Sequence, residues 1–587
     1  MIEKSIFRQK YTLKLLLIFN FLLITVTMII LSNNSPATGY EISIYSSLSN
    51  VWICLIIVNC ISILTIIFCV LFNQKLKHFW LFLITLIYSD IIMILLQHFQ
   101  GYYSYTFSDP LHHLQNISKI SFSGYIGENY YPISYVFGTI WVKIFSIFPN
   151  LVVKTMSMIY WLMFILFSCL LSLTLLKNKK IAILTLIASS VFIFSYFHLT
   201  FYPHILSLFS FPLIFYIYFK LIKTKNKNYI VLFLIMSIVM TFLHPLSAFI
   251  LIICLIVIYI TIILLSYIKK EKINKTNLLY LPIANCIIFI LWISSFSLFG
   301  LSVQRSYNWL VNENVQFLSR AGELESPFTL NVNDFITLTV KMYGPIILYL
   351  SLTFLIIIIC LLKFHKNKNY SLSMILLSTV FLASYGGYFI LSMGMGLVTW
   401  GRLLNANIGM WATPIFISIA LFYLFKPIIN RNKILLASIG ISAILVTASI
   451  LSCLTLYKSS WILQPNGQVT MRDISGSEWF DENCNHNIEM APMGWLSKSY
   501  HWIKVPDHFG YAEEKKLIKS IGKPIYIILT KRFLDYIDDP ILNKHGMNTD
   551  PRIVRSGYES EDFVCFNNDK SVSLVYNNKE FWVYSVN

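Results

Sequence analysis

The stretch "HPLSAFILIICLIVIYITIILL" (244–265) contains no Asp, Glu, Lys or Arg and is almost entirely apolar. A transmembrane helix needs about 20 consecutive, predominantly apolar residues. This stretch is therefore long enough to cross a bilayer. A similar run, "LKLLLIFNFLLITVTMIIL" (13–31), lies near the N-terminus. The sequence predicts a polytopic α-helical membrane protein.

The composition supports this class and excludes a nucleic-acid-binding one. The 587 residues are 57% hydrophobic and 12% charged, whereas soluble domains are about 25% charged. The net charge of +18 is unevenly distributed, because residues 458–587 hold 17 of the 27 acidic and 15 of the 45 basic residues. Residues 1–457 are therefore strongly basic, and the tail is slightly acidic. We predict no nucleic-acid partner.

The basic residues form short clusters between the apolar runs. The clusters are "KNKK" (177–180), "KTKNK" (223–227), "KKEK" (269–272), "KFHKNK" (363–368) and "RNK" (431–433). The positive-inside rule places such clusters in cytoplasmic loops. The basic N-terminus is then inside, and the first span remains as an anchor because no small-x-small cleavage site follows it.

These markers define a topology of about 13 transmembrane helices in the plasma (cytoplasmic) membrane. The predicted spans are 12–32, 51–72, 79–97, 154–176, 181–198, 204–222, 229–243, 246–268, 279–300, 342–362, 370–394, 403–425 and 434–457. The scheme requires that the apolar stretch 133–149 does not cross. We therefore predict one external segment, 98–153, in which 133–149 lies in the interface or is re-entrant.

The chain divides into a transmembrane domain, 1–457, and a soluble extracytoplasmic α/β domain, 458–587. In the tail, "SGSEWFDEN" resembles a helix start with Ser477 as N-cap. "KPIYIIL" (523–529) is typical of a buried strand, and "VSLVYNNKEFWVY" (572–584) of a hairpin turning at Asn577 and Asn578. Cys484 and Cys565 are the two tail cysteines, and their pairing is left open.

The predicted topology gathers most acidic residues and histidines of the membrane part at the outer face. The richest stretch is "SDPLHHLQNISKISFSGYIGENYYP" (108–132). Asp109 precedes a proline, which is a common helix start with Asp as N-cap. His112 and His113 follow at i+3 and i+4, on the same side of the helix. Asp109 is therefore either a structural cap or a general base, and with His113 it is a candidate ligand of a divalent metal.

Five other residues complete the candidate substrate and lipid-phosphate site. His204 and His244 lie in outer turns beside prolines, and Glu128 lies in the same external segment as Asp109. Arg402 follows at the outer end of a late span, where it either extends to the surface or binds a phosphate through two hydrogen bonds. Asp90 lies within a span and is costly there unless it faces a polar cavity.

In these features the chain resembles the GT-C class of membrane glycosyltransferases, in its prokaryotic and archaeal-type members. The resemblance rests on "SDPLHHL" followed by "ENYYPISYVFGTIWVKIFSIFPN", on "YPHILSLFSFP", "HPLSAFILIICLI" and "WGRLLNANI", and on an external tail containing "PDHFGY". It implies an enzyme that transfers a sugar from a polyprenyl-phosphate donor to a glycan, lipid or protein acceptor at the outer membrane face. The tail lacks a WWDYG-type motif, which argues against an oligosaccharyltransferase.

The resemblance implies that Asp109 acts as base or orients the acceptor, and that basic residues hold the donor phosphate. The mechanism we expect is inverting transfer, in which Asp109 deprotonates the acceptor, a neighbouring histidine holds Asp109 or a metal, and Arg402 stabilises the departing phosphate. The alternatives are a many-span polysaccharide ligase or polymerase, a lipid-linked sugar transporter without catalysis, and a membrane-anchored scaffold. The sugar, the acceptor and the metal requirement are not specified by the sequence.

Overall fold

A computed structural model describes most of the membrane part and part of the tail. The residues described are 2–72, 79–106, 109–224, 226–269, 276–296, 300, 304, 332–366, 372–394, 400–430, 433–462, 464–485, 487–493, 525–538 and 570–586. The side chain of Arg402, the stretch "PDHFGY" and Cys565 lie outside the described part. The predictions made for them therefore stay predictions.

The membrane part is almost entirely helical. Its first helices are α1 (Ile2–Asn33), α2 (Ile44–Ser47), α3 (Ser49–Leu71), α4 (Phe79–Phe99), α5 (Asp109–Ser123), α6 (Pro132–Phe145), α7 (Pro149–Leu176), α8 (Lys179–Ser190), α9 (Tyr196–Leu199) and α10 (Pro203–Thr224). They are followed by α11 (Asn228–Leu243), α12 (Pro245–Lys269), α13 (Thr276–Ile293), α14 (Val332–Lys366), α15 (Leu372–Gly394), α16 (Trp400–Asn405), a 3₁₀ helix (Ile408–Ala412), α17 (Thr413–Asn430) and α18 (Ile434–Thr455).

Ten helices of the described part are long and apolar enough to cross a membrane. This confirms a polytopic helical protein. Three of the 13 predicted spans correspond to shorter helices, namely α8, α11 and the apolar part of α13. The number of crossings therefore stays a prediction.

The predicted span 181–198 is wrong as a single helix. Helix α8 ends at Ser190, and a second short helix, α9, begins after Ser195, whose hydroxyl caps it by accepting from the Phe197 N–H at 3.4 Å. Nearly all residues from 181 to 200 are buried in the protein. The run is apolar because it lies in the protein core, and a buried turn has the same composition as a span.

Helix α6 corresponds to the stretch predicted not to cross. It has 14 residues, which at 1.5 Å per residue is about 21 Å, shorter than a hydrocarbon core of about 30 Å. Pro132 occupies its first turn, and Ser146 ends it in the left-handed conformation at φ 52°. It packs closely on α5, because a Cβ added at Gly138 would lie 2.7 Å from Ile117 Cδ1. Its depth in the membrane stays a prediction.

Polar side chains connect several helices of the membrane part. Asn20 on α1 donates to the Ser62 hydroxyl on α3 at 2.9 Å, and Ser62 lies 3.0 Å from the Thr85 hydroxyl on α4. Tyr349 on α14 donates to the Ala188 carbonyl on α8 at 2.7 Å. Interhelical hydrogen bonds of this kind satisfy polar groups that have no water partner in the membrane.

The tail contains a small mixed sheet and two helices in its described part. Its elements are a 3₁₀ turn (Ser460–Ile462), β2 (Gln468–Val469), α19 (Met471–Asn483), β3 (Glu489–Met493), β4 (Ile525–Thr530), α20 (Lys531–Asp538), β5 (Val572–Asn577) and β6 (Phe581–Val586). The sheet order is β3-β4-β6-β5, with β3 parallel to β4 and the other pairs antiparallel. The predicted strand and hairpin are present, and the domain boundary at 457/458 stays a prediction.

The predicted N-cap of the tail helix is wrong. Helix α19 begins six residues before Ser477, with Thr470 as N-cap. The Thr470 hydroxyl accepts from the Asp473 N–H at 3.0 Å, and the Asp473 carboxylate accepts from the Thr470 N–H at 2.9 Å. Two helix donors are thereby satisfied at once, whereas the prediction considered only Ser477.

Candidate functional site

Four helices begin at prolines and meet at one end of the membrane part. Pro110 is the second residue of α5, and Pro132, Pro203 and Pro245 are the first residues of α6, α10 and α12. Proline suits the first helical turn because its missing N–H would have no helical partner there. The residues beside these prolines include most of those that the sequence analysis selected. Their rings form a continuous cluster.

His113 forms one side of this cluster. Its side chain is buried, and Nδ1 lies 2.7 Å from the Tyr135 hydroxyl. The ring centroids of Tyr131 and Tyr202 lie 6.4 Å and 6.3 Å from that of His113. Burial, with smaller contributions from Tyr131 and the Asp109 carboxylate, raises the pKa of Tyr135 above its usual value. Tyr135 therefore stays a neutral hydrogen-bond partner that orients His113.

His244 and His204 form the other side. The His244 ring stacks on Tyr131 with a centroid distance of 5.6 Å and an angle of 13°, and it lies 4.9 Å from the His204 ring. The His204 ring lies 5.2 Å from that of Tyr388 on α15. The cluster therefore runs from His113 through Tyr131 to both histidines.

Two serine hydroxyls connect these histidines through hydrogen bonds. His244 Nδ1 lies 2.7 Å from Ser247 Oγ, and Ser247 Oγ lies 2.5 Å from Ser207 Oγ. Ser207 donates to the His204 carbonyl at 2.6 Å. Both serines are buried. Their hydrogen bonds hold Nδ1 of His244 and thereby fix the orientation of its ring.

The segment that carries Arg402 adjoins the cluster. His204 Nε2 forms a hydrogen bond with the Ala406 carbonyl, which follows directly after α16. Asn407 then caps the 3₁₀ helix by accepting from the Gly409 N–H at 2.9 Å. Gly409 is required there, because an added Cβ would lie 2.4 Å from the Tyr385 backbone. The backbone of Arg402 is thus one helical turn away from a residue bound to His204.

Asp109 is the first residue of α5, so the predicted position of Asp109 as N-cap with Pro110 at the first helical position is wrong by one residue; Asp109 stands one turn before His113 and is half-buried. The two neighbouring histidines separate, since His113 is buried in the cluster and His112 is exposed. The Asn116 amide lies 3.0 Å from His112 Nε2. Of the two histidines predicted to accompany Asp109, His112 faces the surface, and the pairing of His113 with Asp109 stays a prediction.

Two other candidate residues, Glu128 and Asp90, lie away from the histidine–tyrosine cluster. Glu128 is exposed on the loop between α5 and α6. Asp90 is buried among α3, α4, α8 and α18, where Asn59 donates to its Oδ1 at 2.8 Å and where it lines a small cavity with Ser190 and Ser452. It lies nine residues before Phe99, the end of α4, or about 13 Å along the helix axis. Neither residue is a member of the histidine–tyrosine cluster described above.

The predicted metal site consists of two residues, Asp109 and His113. In the part of the chain that the structure describes, no group of three or more His, Cys, Asp or Glu side chains is arranged to hold a metal ion. Asp109 and His113 supply one carboxylate and one imidazole. A divalent metal at these two residues stays a prediction.

Several cluster residues were not selected from the sequence. Tyr131 and Tyr135 lie around "YYPISY" (130–135), where the Tyr-Pro helix start resembles His244-Pro245 and could have served as a signal. Ser207 and Ser247 each stand three residues after a selected histidine, on the same helix face. Tyr388 lies in a uniformly apolar helix and gives no sequence signal.

Comparison with known proteins identifies the fold. No protein-family model and no curated protein matches the sequence. Among solved structures, the archaeal oligosaccharyltransferase AglB from Archaeoglobus fulgidus, in complex with an inhibitory peptide and a dolichol-phosphate, is 11% identical. The match covers 88% of this chain and 75% of AglB, with a TM-score of 0.50.

ArnT from Cupriavidus metallidurans is also similar. Its structure bound to undecaprenyl phosphate is 8% identical and covers 87% of this chain and 98% of ArnT, and its apo structure is 9% identical and covers 86% and 97%. Both have TM-scores of 0.44. At such low identities the likeness is one of architecture. The chain has the fold of the GT-C class of membrane glycosyltransferases, as the resemblance in its sequence predicted.

Proposed function

We propose that this protein is a glycosyltransferase that moves a sugar from a polyprenyl-phosphate donor to a glycan, lipid or protein acceptor. It would act at the outer face of the plasma membrane, with the N-terminus inside and the C-terminal tail outside. Membrane lipids surround the site in this arrangement, and the donor reaches it within the bilayer.

One observation supports this proposal most strongly. Asp109, the buried His113 and the His204–His244 pair adjoin the segment of Arg402 at one end of the helices. In this proposal the Asp109 carboxylate serves the acceptor hydroxyl and Arg402 serves the donor phosphate. AglB, whose fold this chain shares, is solved with a dolichol-phosphate.

The transfer step needs one base and a leaving phosphate. The acceptor oxygen forms a bond to the anomeric carbon while its proton passes to the Asp109 carboxylate. The bond from that carbon to the phosphate oxygen breaks, and its electron pair leaves with the polyprenyl phosphate. The configuration at the anomeric carbon is inverted, since no covalent enzyme intermediate forms. His113, oriented by Tyr135, holds Asp109 in position.

Positive groups near the donor stabilise the charge that develops on the phosphate. The guanidinium of Arg402 offers two parallel hydrogen bonds. Helices α10 and α12 begin beside the cluster, and their N-termini carry partial positive charge. Asp109 and His113 are also the proposed ligands of a divalent metal, which would supply further positive charge. Preorganised charge of this kind is a large contribution to catalysis.

The test is a transfer assay with purified protein in lipid nanodiscs and a panel of polyprenyl-phosphate sugars. We expect wild type to release the lipid phosphate. Asp109→Asn is nearly isosteric and keeps a side-chain acceptor in the first turn of α5, but it removes the base. Its rate should fall by roughly 10²-fold or more. Arg402→Lys keeps the charge but loses bidentate binding, so it should also be impaired.

Other products would contradict the proposal. Near-normal transfer by Asp109→Asn beside a weak but folded Asp109→Ala would assign Asp109 a structural role in the first turn of α5. Release of a polyprenyl pyrophosphate would indicate a ligase or polymerase. Movement of the intact lipid-linked sugar across the bilayer without cleavage would indicate a transporter.

A further inference from the structure

The tail contacts the chain on both sides of Asp109. The side chains of Tyr103 and Leu111 pack against the hydrophobic cluster of the tail. The buried members of that cluster are Val469, Phe480, Cys484, Met490, Ile528, Phe581 and Val583. Tyr103 lies six residues before Asp109 and Leu111 two residues after it. The tail core therefore includes side chains from the segment that carries the proposed base.

The backbone before Asp109 is also bound to the tail. Strand β1 (Ser104–Tyr105) pairs antiparallel with β2, with Ser104 opposite Val469. The Tyr103 N–H donates to the Val469 carbonyl at 3.0 Å, and the Thr106 N–H donates to the Gly467 carbonyl at 2.6 Å. The ladder ends three residues before Asp109. It fixes the chain at Thr106 relative to the tail.

A buried carboxylate in the tail hairpin secures this junction. Glu580 is only 2% exposed. It accepts from the Tyr40 N–H at 3.2 Å, from the Thr470 hydroxyl at 2.8 Å and from Arg472 at 3.2 Å. Tyr40 belongs to the first external loop, whereas Thr470 follows β2 directly. A buried carboxylate is stable only when it is hydrogen-bonded, so these partners fix the hairpin, the loop and β2 relative to one another.

We propose that the tail positions Asp109 for transfer, with Gly467 and Glu580 as positioning residues that act through the β1–β2 ladder. This rests on the proposed function, because it assigns the tail a part in that reaction. Gly467 and Glu580 bind the segment before Asp109 and the first external loop, and no catalytic contact is assigned to them. Their loss should therefore lower kcat and leave KM for the donor nearly unchanged.

The first variant is Gly467→Ala. Its Cβ would lie 2.9 Å from Cε1 and Cζ of Tyr105, so the buried Tyr105 ring, or strand β1 that carries it, must shift. A misplacement of about 1 Å can cost roughly 10²-fold in rate, and we expect kcat to fall at least tenfold. The matched control is Gly386→Ala in α15, where an added Cβ meets nothing within 4 Å. We expect the control to keep wild-type kcat.

The second variant, Glu580→Ala, leaves the Tyr40 and Thr470 donors without their acceptor. Glu580→Gln is the conservative counterpart, because its amide oxygen can still accept from the Tyr40 N–H while its NH2 group donates to the Thr470 hydroxyl oxygen. A disulfide across Ser104→Cys and Val469→Cys should hold the strands together in place of Glu580, since directly opposed residues have Cα separations that a disulfide spans. In the Glu580→Ala background, oxidation of this pair should restore kcat, and reductant should lower it again.

Hydrogen exchange gives a measure of the junction that does not depend on activity. The amides of Tyr103 and Thr106 donate to tail carbonyls and should exchange at least tenfold faster in Glu580→Ala than in wild type. Faster exchange with unchanged kcat would overturn the positioning role. Unchanged exchange would overturn the role of Glu580. If wild type transfers no sugar from any donor, the proposed function fails and the positioning role fails with it, whereas transfer by wild type together with normal kcat in Gly467→Ala overturns the positioning role alone.

Discussion

The hydroxyl of Tyr135 is the polar contact that orients the proposed partner of the base. Tyr135→Phe removes the 2.7 Å hydrogen bond to His113 Nδ1 and keeps the ring that packs beside it. A hydrogen bond of this kind contributes about 1 kcal/mol, so we expect kcat to fall roughly fivefold. The measurement is the transfer rate at saturating donor.

Tyr125→Phe is the matched control for this change. Tyr125 is 72% exposed on the loop that follows α5, so loss of its hydroxyl should leave the rate unchanged. Equal rates for Tyr135→Phe and Tyr125→Phe would show that the His113–Tyr135 contact is structural.

At the residue scale, the sequence predicted which residue types form the cluster more reliably than which individual residues contact one another. His113 was selected for its spacing from Asp109, and His204 and His244 for their positions beside prolines; the structure brings the three rings into one cluster. His112 was selected by the same spacing as His113 but is exposed, and Asp90, selected as a charged residue within a span, is buried among helices away from the cluster. Spacing along one helix cannot specify which side another helix will cover.

At the scale of secondary-structure elements, the close packing of α6 on α5 requires Gly138. Gly138→Ala places a methyl group 2.7 Å from Ile117 Cδ1. Overpacking of a tight contact costs about 1–3 kcal/mol, so the unfolding temperature of the purified protein should fall. Ile117→Val removes the atom that the new methyl group meets. The double variant should therefore be more stable than Gly138→Ala alone, and a simple sum of the two losses would contradict this packing.

The capping box of α19 should make the tail pH-sensitive. Burial raises the pKa of Asp473 to about 6, whereas an unfolded Asp titrates near ~3.9. The folded tail therefore holds a proton that the unfolded tail has lost between about pH 4 and 6, and its free energy of unfolding falls as pH rises through this window. The expected loss is about 3 kcal/mol. Below about pH 4 the contribution is fully present.

Asp473→Asn carries no titrating proton and keeps an acceptor for the Thr470 N–H. Hydrogen exchange of residues 471–483, corrected for the intrinsic rate at each pH, measures the local free energy of opening. The difference between wild type and Asp473→Asn should change with pH between about 4 and 6. A constant difference would mean that Asp473 does not carry this dependence.

Elements were predicted well where the sequence contains a strong local turn signal. The hairpin β5–β6 was predicted from its Asn-Asn turn, and the structure adds Lys579 in the left-handed region at φ 75°. The pairing of β1 with β2 was beyond prediction, because each strand has two residues and its partner lies more than 350 positions away. Glu41 similarly has distant partners, accepting from Gln100 at 2.6 Å and Tyr102 at 2.7 Å. Such contacts depend on the assembled fold.

For the whole molecule, hydropathy predicted a polytopic helical membrane protein, which the ten long apolar helices of the described part confirm, and the fold is shared with AglB. The transmembrane orientation depends on one question, which is whether α6 crosses the bilayer. Its length of 14 residues argues against a crossing, because such a helix would leave several ångströms of the hydrocarbon core unspanned. Every later loop changes side if this argument is wrong.

Two exposed residues flank α6 and allow the orientation to be measured. Tyr125 is 72% exposed before α6, and Phe148 is 80% exposed after it. Tyr125→Cys and Phe148→Cys, each in a background without the other accessible cysteines, should both react with a membrane-impermeant maleimide added outside intact cells. A cysteine replacing exposed Tyr267, at the cytoplasmic end of α12 in the predicted topology, should react only after the cells are opened. Reaction of only one of the two flanking positions would show that α6 crosses, and it would move the basic clusters that follow to the outside.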